Sequence, residues 1–302
     1  MYNGFSILIP SWNNLSFLKL CVQSIRKNSA MQHQIIVHVN DGSDGTLQWV
    51  KEEGLDYTYT QQNAGVCIAM NMMRTKVKTD YIYFVNDDMY LLPGWDTALM
   101  AEINSIGHNR FYLSSTMIQP HDRNDVGVCA DYGDSLETFR EEKLLAEYMQ
   151  HPRGDWQGAT RPPSLVHRDI WDTVGGYSIE LSPGMYSDPD FTAKLLFIGV
   201  TYLKGLGNSR VYHFETKTTG RVKRNDGNTQ FLLKWGISNS VMRRMITRQG
   251  EDWEKREESL DVECIRSKRG MSKWKAVWYL LRKGFGITHN IEETSESVTP
   301  WI

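Results

Sequence analysis

The first half of the chain alternates short apolar runs with helix-forming segments, and this alternation restricts the fold more than any other feature. Parallel strands need crossover connections, usually helices, so the pattern predicts a mainly parallel sheet with helices on both faces. Pro10 is expected to end the first strand with a turn. The predicted strands are 5–9, 34–39, 57–60 and 81–85, and the predicted helices run from Asn13 or Asn14 to about 27 and over 63–76.

Length, composition and charge place the chain among ordinary globular proteins. Its 302 residues are 40% hydrophobic and 23% charged, which suits one large α/β domain or one domain with an appendage. The net charge of −2 argues against bulk attraction to nucleic acid. The start of the chain is apolar for too few residues to be a signal peptide, and no stretch reaches the roughly 18 residues of a membrane-spanning helix. We therefore expect a cytoplasmic protein.

The second half gives weaker patterns, and its character changes near residue 225. The segment 122–134 is polar and rich in turn residues, so we predict a mobile loop, followed by a helix over 135–149. A second recognisable block runs over 156–214. Beyond it the chain becomes basic and aromatic, with predicted helices over 229–248, 251–266 and 273–283.

Acidic residues follow two of the predicted strands where those strands end. Asp41 comes after the second strand, and Asp87 and Asp88 come after the strand over 81–85. Ligands of open parallel sheets bind beyond the carboxyl ends of the strands, so these residues should converge at one site. Two adjacent carboxylates repel each other and lose solvation, and a hard cation such as Mg²⁺ or Mn²⁺ removes both penalties. The alternative is a solvated Asx turn.

Two further motifs suggest a nucleotide. Trp12, in Pro10-Ser-Trp-Asn13, offers a ring that can stack on a base, and Asp41 can accept a hydrogen bond from a ring N–H. In the segment from Asn63 to Asn71, Gly65 opens a predicted helix whose free N–H groups would attract phosphate. A plain capped helix is the alternative for that segment.

The order of these motifs, followed by Leu92-Pro-Gly-Trp95 and by the segment 166–177, resembles family 2 glycosyltransferases with a GT-A fold. The resemblance covers about 4–215 and implies transfer of a sugar from a nucleotide-diphosphate sugar to an acceptor. It implies an α/β fold with a mostly parallel central sheet, flanking helices and a helical C-terminal extension. The donor would contact Pro10, Trp12, Asn13, Asp41, Asn63, Gly65, Asn71, Asn86 and Asp87.

The resemblance also implies a divalent cation, Mn²⁺ or Mg²⁺, that bridges the diphosphate. The usual motif is Asp-x-Asp, but Asn86 stands in its first place, as in rhamnosyltransferase-like members. Metal binding would therefore fall mainly on Asp88, with Asp87 beside the ribose or the metal, and dependence on the metal would be looser. His213 resembles a further metal or diphosphate contact, although a structural histidine is the alternative.

An inverting transfer needs a carboxylate that takes a proton from the acceptor hydroxyl. Asp188 and Asp190 open a predicted amphipathic helix and resemble the acidic segment of the family, with Ser187 where Glu often stands. We predict Asp188 as the base and Asp190 as its support or as an acceptor contact. The alternative is that both acids cap the helix.

Aromatic and basic residues supply weaker candidates. Trp156 and Trp95 would offer faces for sugar stacking or lie in the core. The basic run Arg221, Lys223 and Arg224 would close over the diphosphate as a lid or belong to a solvated loop.

The predicted helix over 273–283 has an aromatic face with flanking basic residues, which suits contact with an anionic membrane. It would bring the enzyme to a lipid-linked acceptor on the inner face of the membrane; packing on the catalytic domain or on a second subunit is the alternative.

We thus expect a catalytic domain over 1–225, divided into a nucleotide-sugar part (1–115) and an acceptor-side part (116–225), and a helical extension over 226–302. The predicted partners are a nucleotide-diphosphate sugar and a glycan, lipid-linked or protein acceptor, without nucleic acid and with the oligomeric state open. Two other functions compete: an inactive nucleotide-sugar or glycan-binding module, and a sugar nucleotidyltransferase. The second would need a glycine-rich basic loop after the first strand, which Pro10-Ser-Trp-Asn-Asn14 does not supply.

Overall fold

A mixed sheet forms the centre of the computed structural model, which describes residues 2–121, 126–216 and 225–254 together with Val277, Trp278 and Leu281. The strands are β1 (Ser6–Trp12), β2 (Gln34–Asn40), β3 (Asp56–Thr60), β4 (Tyr81–Phe84), β5 (Met89–Leu91), β6 (Phe111–Gln119), β7 (Val128–Cys129), β8 (Trp156–Gln157), β9 (Ser164–His167) and β10 (Tyr202–His213). Their order in the sheet is β3-β2-β1-β4-β9-β6-β10-β5, with β7 beside β6 and β8 beside β10.

Helices connect the strands and cover both faces of the sheet. They are α1 (Leu15–Asn28), α2 (Thr46–Glu52), α3 (Gly65–Arg74), α4 (Trp95–Ile106), α5 (Glu141–Glu147), α6 (Arg168–Val174), α7 (Ser187–Phe197), α8 (Gly227–Trp235) and α9 (Asn239–Val241). Short 3₁₀ turns lie at Tyr148–Gln150 and Ile179–Leu181, and α9 continues into a π-helical turn over Met242–Ile246. Within the described residues, no helix combines the length and the hydrophobicity that crossing a membrane requires.

Strands β1 to β4 are parallel, as the alternation of strands and helices predicted. Two strands that the sequence pattern did not indicate reverse the direction. β9 runs antiparallel between β4 and β6, and β5 runs antiparallel to β10. The sheet is therefore parallel on its first side and mixed on its second.

Pro10 does not end β1, which continues to Trp12. The amide of Val85 donates to the carbonyl of Leu8, so the even-numbered positions of β1 face β4, which pairs with β1 only over Ser6 to Leu8. Pro10 lies beyond that pairing, on the side where no strand needs an N–H donor. A proline is tolerated there because its missing donor costs no ladder hydrogen bond.

Several predicted helices are shorter than expected because local side chains or glycines interrupt them. Over 135–149 only Glu141–Glu147 is α-helical, because the hydroxyls of Ser135 and Thr138 bond to each other and to the local backbone in a turn. The predicted helix over 229–248 breaks at Gly236, which is left-handed with φ +70°. Residues 251–254 are not helical, and 255–266 and 122–125 lie outside the described residues.

The two faces of the sheet carry separate apolar cores. One lies under α1 and α4 and contains Phe5, Tyr83 and Trp95. The other lies under α3, α6 and α7 and includes Phe191 and Phe231. Since Phe231 belongs to α8, the described residues after 225 pack into the same core as α7.

Trp156 and Trp95 both lie in the core, so neither ring presents a face to a sugar. Trp156 is 1% exposed, and its Nε1 donates to the Thr116 hydroxyl over 2.9 Å. Trp95 is fully buried, and its ring stacks on Tyr83 with centroids 4.8 Å apart. The prediction of a sugar-stacking role for these two side chains is therefore wrong for this structure.

The Trp156 ring fits over Gly205, and this contact gives a stability prediction. A Cβ added at Gly205 would lie 1.8 Å from the ring. We expect Gly205→Ala to lower the free energy of unfolding by roughly 1–3 kcal/mol, since the rigid ring has to move. Urea denaturation measures it. Gly154→Ala is the matched control, because a Cβ there meets no atom within 4 Å; equal stability of the two variants would contradict the prediction.

Candidate active site

The two acidic turns meet at the carboxyl end of β1, as expected for the edge of a parallel sheet. The Ser11 hydroxyl donates to Asp87 Oδ2 over 2.7 Å. Asn13 Nδ2 donates to Asp41 Oδ2 over 2.8 Å. Ser11 near the end of β1 and Asn13 just after it therefore tie together the turns that follow β2 and β4.

The turn after β2 has an unusual backbone. Asp41 and Asn13 adopt left-handed conformations, with φ +65° and +46°, which few residues other than Gly, Asn and Asp tolerate. The Oδ1 atom of Asn13 is buried and has no hydrogen-bond partner among the described residues. Trp12 and Pro10 are half-buried beside this turn. A constrained backbone and an unused buried acceptor are typical of a ligand site.

The second acid of the segment Asp41-Gly-Ser-Asp44 fixes this turn. Asp44 Oδ2 accepts from the amide of Leu15, the first residue of α1, over 2.9 Å. Its Oδ1 accepts from both the amide and the hydroxyl of Thr46, the first residue of α2. One carboxylate therefore caps two helices, which holds Asp41 in place.

Asp88 is paired with His213 because β5 and β10 are antiparallel neighbours. His213 lies opposite Met89, and the Phe214 amide donates to the Asp88 carbonyl over 3.1 Å. The His213 Nε2 is 3.4 Å from Asp88 Oδ1, while the amide and hydroxyl of Thr216 donate to Oδ2.

Asp88 and His213 each stabilise the charged form of the other. Burial alone would raise the pKa of Asp88, but the positive charge of His213 and the hydrogen bonds from His213 and Thr216 lower it below its usual value. Burial would likewise lower the pKa of His213, and Asp88 raises it instead. Asp88 is therefore a buried, negatively charged group at the carboxyl edge of the sheet.

Asp88 and His213 could supply some of the ligands of a divalent cation, but not a complete set. Within the described part of the chain, no three His, Cys, Asp or Glu side chains are grouped as a ready metal site. Asp88 and His213 form a pair, and the Nδ1 atom of His213 is buried without a hydrogen-bond partner there. Mg²⁺ and related ions are commonly held by one or two protein carboxylates, with substrate phosphates and water completing the shell. These residues would suit a cation that binds together with a diphosphate.

Asp87 and Asn86 precede Asp88 in the chain, but each contacts a different residue. Asp87 is 7% exposed and accepts the hydrogen bond from Ser11. Asn86 is half-buried, and its carbonyl accepts from the Cys21 thiol at 3.7 Å. The predicted roles of these two residues toward ribose or metal stay predictions.

Three amides at the start of α3 are bonded to protein acceptors and are not free for phosphate, contrary to the prediction for Asn63 and Gly65. Gly65 is left-handed (φ +78°), and a Cβ there would lie 2.5 Å from Pro183, so glycine is required by packing against the loop before α7. Protein acceptors take three successive amides: Ala64 N donates to Asn40 Oδ1 (2.9 Å), Gly65 N to Asn63 Oδ1 (3.0 Å) and Val66 N to the Pro183 carbonyl (2.8 Å).

The side chain of Asn71 links α3 to the loop after α6. This corrects the prediction that Asn71 contacts the nucleotide-sugar donor. Its Nδ2 donates to the Tyr177 carbonyl over 2.8 Å, and its Oδ1 accepts from the Tyr177 amide over 2.9 Å. Both ends of the amide hold the loop after α6 against α3. Its role in this structure is to position Tyr177.

Asp188, at the start of α7, is a half-buried carboxylate with a raised pKa. Its Oδ1 accepts from the Tyr177 hydroxyl over 3.0 Å. Burial raises the pKa of Asp188 to about 6, although the Tyr177 hydrogen bond and the positive charge of Arg161 act in the opposite direction. Arg161 also acts on His213, so its charge is felt on both the Asp88 side and the Asp188 side of the site. A carboxylate with a raised pKa can accept a proton near neutral pH.

Asp190 is fully buried and its carboxylate is used by the fold, which contradicts the predicted contact with the acceptor. Its other predicted role, support of Asp188, stays a prediction. The Oδ2 atom of Asp190 accepts from the Ser178 hydroxyl over 2.5 Å. Its Oδ1 accepts from Trp235 Nε1 and lies 2.9 Å from the Lys234 ammonium. These bonds join α7 to α8 and thereby fix the helix that bears Asp188.

Sequence patterns missed four residues of this site: Ser11, Arg161, Tyr177 and Thr216. Ser11 and Thr216 act through hydroxyls, which no spacing rule distinguishes from ordinary surface hydroxyls. Tyr177 ends the segment 166–177, which belongs to a recognisable motif, whereas no motif includes Arg161.

Two predictions fall wholly or mostly outside the described residues. The first is the lid of Arg221, Lys223 and Arg224. The second is the segment 273–283, of which only Val277, Trp278 and Leu281 are described, and these three are exposed.

Sequence comparison gives one family. Residues 6–158, just over half of the chain, match the model of the family described as Glycosyl transferase family 2. A search of curated proteins gives no significant match.

Solved structures of glycosyltransferases share the fold. S. aureus TarS 1–349 in complex with UDP-GlcNAc is 14% identical with a TM-score of 0.59, over 96% of this chain and 77% of that one. TarS 1–349 in another crystal structure gives a TM-score of 0.50 at 14% identity, over 70% of this chain and 60% of that one. GalNAc-T7 with UDP, GalNAc and Mn²⁺ is 13% identical with a TM-score of 0.55, over 93% of this chain and 58% of that one. The chain thus spans about 60% of the length of several structures that it resembles.

The two carboxylates paired with Lys234 give a prediction that compares the contribution of a buried ion pair to stability with that of an exposed one. Asp190 is fully buried, whereas the side chain of Glu180, 2.8 Å from the same ammonium, is 57% exposed. We expect Asp190→Asn to lower the free energy of unfolding by roughly 2–3 kcal/mol, less than for a fully enclosed pair because Lys234 keeps Glu180 and some water. Glu180→Gln, the matched control, should cost less than about 1 kcal/mol. Chemical denaturation compares them, and a larger effect of Glu180→Gln would contradict this assignment.

Proposed function

The chain belongs to glycosyl transferase family 2, and on that premise we propose that it moves a sugar from a nucleoside-diphosphate sugar to an acceptor hydroxyl with inversion of the anomeric centre. One observation supports this most: Asp88 and His213 form a charged pair that would suit a divalent cation, and Asp188 is a separate carboxylate with a raised pKa. Arg161 acts on both parts. An inverting transfer needs these two functions on opposite sides of the reacting carbon.

The donor nucleotide would bind at the end of β1. Asp41 would accept a ring N–H of the base, and the half-buried Trp12 and Pro10 would border the base pocket. The unpartnered Oδ1 of Asn13 is a further acceptor at this point. TarS and GalNAc-T7 were both solved with UDP, which makes uracil the first base to test.

Asp88 and His213 would hold a divalent cation, with Asp87 nearby. Such an ion would supply positive charge to the diphosphate as its negative charge grows on leaving. GalNAc-T7 was solved with Mn²⁺, and the oxygen and imidazole donors here suit Mn²⁺ or Mg²⁺. The Arg161 guanidinium would add a second positive charge beside the same leaving group.

Asp188 would act as the general base. Its carboxylate takes the proton of the acceptor hydroxyl, the hydroxyl oxygen forms a bond to the anomeric carbon, and the bond from that carbon to the diphosphate oxygen breaks. Tyr177 donates to the carboxylate and orients it. Asn71 fixes Tyr177 through both of its backbone groups, so the positions of α3 and α7 together set the base.

The acceptor would be a glycan, a lipid-linked acceptor or a protein. A cytoplasmic location and a membrane contact through 273–283 belong to this proposal as well. The described residues of that segment, Val277, Trp278 and Leu281, are between 44% and 54% exposed, which is compatible with contact to another surface.

Two substitutions test the assignment of the cation ligands and the base. We expect Asp188→Asn to bind UDP with Mn²⁺ as the parent does but to lower turnover of UDP-sugar by roughly a hundredfold or more, since the base is lost. We expect Asp88→Asn to abolish the effect of Mn²⁺ on UDP affinity. Calorimetry measures affinity, and release of UDP measures turnover.

Glu180→Gln, an exposed carboxylate variant, controls for loss of charge and should behave as the parent protein. Full turnover by Asp188→Asn would remove Asp188 from the mechanism. Failure of the parent to bind any nucleoside diphosphate, with or without a divalent ion, would overturn the proposed function as a whole.

The raised pKa of Asp188 also predicts a pH dependence. The base must be deprotonated, and its pKa is raised to about 6, so kcat/KM should fall with decreasing pH below that value, by about tenfold per pH unit. Because the Tyr177 hydrogen bond lowers this pKa, Tyr177→Phe should move the inflection to higher pH. A pH–rate profile of each variant measures it.

Tyr202→Phe is the matched control. Tyr202 opens β10, at the opposite end of this 12-residue strand from His213, and donates to Glu102. Its removal should leave the inflection in place. An inflection that Tyr177→Phe does not move, or moves to lower pH, would contradict the role of Tyr177.

A further inference from the structure

A pocket of about 630 Å³, lined by both polar and apolar side chains, lies where α8 and α9 meet the start of α7. Tyr186, Asn228, Ser238, Asn239, Arg243 and Trp278 are among its lining residues. We infer that this pocket binds the acceptor, and that the acceptor is a hydroxyl-rich glycan bearing an anionic group that Arg243 recognises. This inference rests on the proposed function and adds the substrate class that the proposal leaves open.

The pocket adjoins the base through a short, firmly held segment of chain. Tyr186 precedes Asp188 by two residues and is left-handed, with φ +70°. Asn225, just before α8, bonds to both the amide and the carbonyl of Met185. A Cβ on Gly227, the first residue of α8, would lie 2.2 Å from the Met185 carbonyl oxygen, so the two segments are in direct contact. A sugar in the pocket would therefore be next to the helix start that holds Asp188.

The lining residues have the chemistry of a carbohydrate site. Asn228 and Ser240 supply amide and hydroxyl groups, and Tyr186 and Trp278 supply aromatic surface, with the Trp278 side chain 54% exposed. The Oδ1 atom of Asn239 is buried and lacks a hydrogen-bond partner within the described residues. A buried acceptor without a partner costs free energy unless a ligand or water donates to it. Sugar hydroxyls are donors of the required kind.

Arg243 points to an anion. It is half-buried, and its Nε donates to the Gln249 side chain, which itself is 8% exposed. Among the residues that the structure describes, no carboxylate lies within ion-pair distance of Arg243. The nearby Arg248, by contrast, contacts both Glu251 and Glu254. A guanidinium that is held in place and has no counter-ion in the described part of the chain is suited to bidentate binding of a carboxylate or phosphate.

The test is a binding measurement on the full-length protein with three probes of equal length. One probe is an oligogalacturonate, the second is a phosphorylated neutral oligosaccharide and the third is a neutral oligosaccharide. We expect both anionic probes to bind more tightly than the neutral one, and the tighter of the two identifies the anionic group as carboxylate or phosphate. UDP is titrated in parallel to report on the donor site.

Arg243→Gln should weaken binding of the anionic probes by roughly tenfold or more, as for loss of a hydrogen bond to a charged group, without changing affinity for UDP. Arg243→Lys keeps the charge and should lose less. Arg244→Gln is the matched control, because Arg244 is the exposed neighbour on the same helical turn and does not line the pocket. Thermal melting of each variant shows whether it folds. If Arg243→Gln does not fold, the affinity of Arg243→Lys for the anionic probes tests the inference instead.

Equal binding of neutral and anionic probes, or equal effects of Arg243→Gln and Arg244→Gln, would overturn the inference. Binding of UDP without binding of any saccharide would also overturn it and would leave the proposed function intact. Failure to bind UDP would remove the proposed function, and the inference with it.

Discussion

The antiparallel pairing of β5 with β10 is the constraint on which the rest of the site depends. β5 follows the acidic turn after β4, and β10 ends at His213, so their pairing brings together residues 125 positions apart in the chain, Asp88 and His213. The same pairing places Thr216 on the second oxygen of Asp88. The parallel half of the sheet supplies the carboxylate, and the mixed half supplies the groups that keep it ionised in a buried place. Neither half contains the site alone.

The sequence predicted the family, the GT-A-type fold and the location of the acidic turns, and the comparisons and topology confirm these. The reason is physical: the alternation of strand and helix fixes which strand ends share one edge of the sheet. The sequence does not show which polar side chains far apart in the chain form hydrogen bonds with each other. Asn71 bonds Tyr177 across 106 positions, and Asp190 bonds Trp235 across 45. A motif shows that a polar side chain is present, but it does not show whether the fold or a ligand uses its hydrogen bonds.

The same limit explains the tryptophans and the start of α3. Trp156 lies in a two-residue strand, too short for a pattern to reveal, and its ring is enclosed by Gly205 of β10. The amides of Ala64 and Val66 would be free in an isolated helix, but Asn40 and Pro183 take them in the folded chain. In both cases a local rule describes the element correctly and tertiary packing then determines its use.

Asp188 and Asp190 show how environment rather than residue type separates a reactive group from a structural one. They lie on the same turn of α7, where Asp190 is fully buried and Asp188 is half-buried. Asp190 has a lysine, an indole N–H and a hydroxyl around it, so its charge is compensated and its geometry is fixed. Asp188 has the single tyrosine hydroxyl and a more distant arginine, so burial dominates and its pKa rises to about 6. An ionised carboxylate that its surroundings stabilise poorly gains most from taking a proton. The compensated acid therefore anchors the helix, and the poorly compensated acid beside it is the one that we propose as the base.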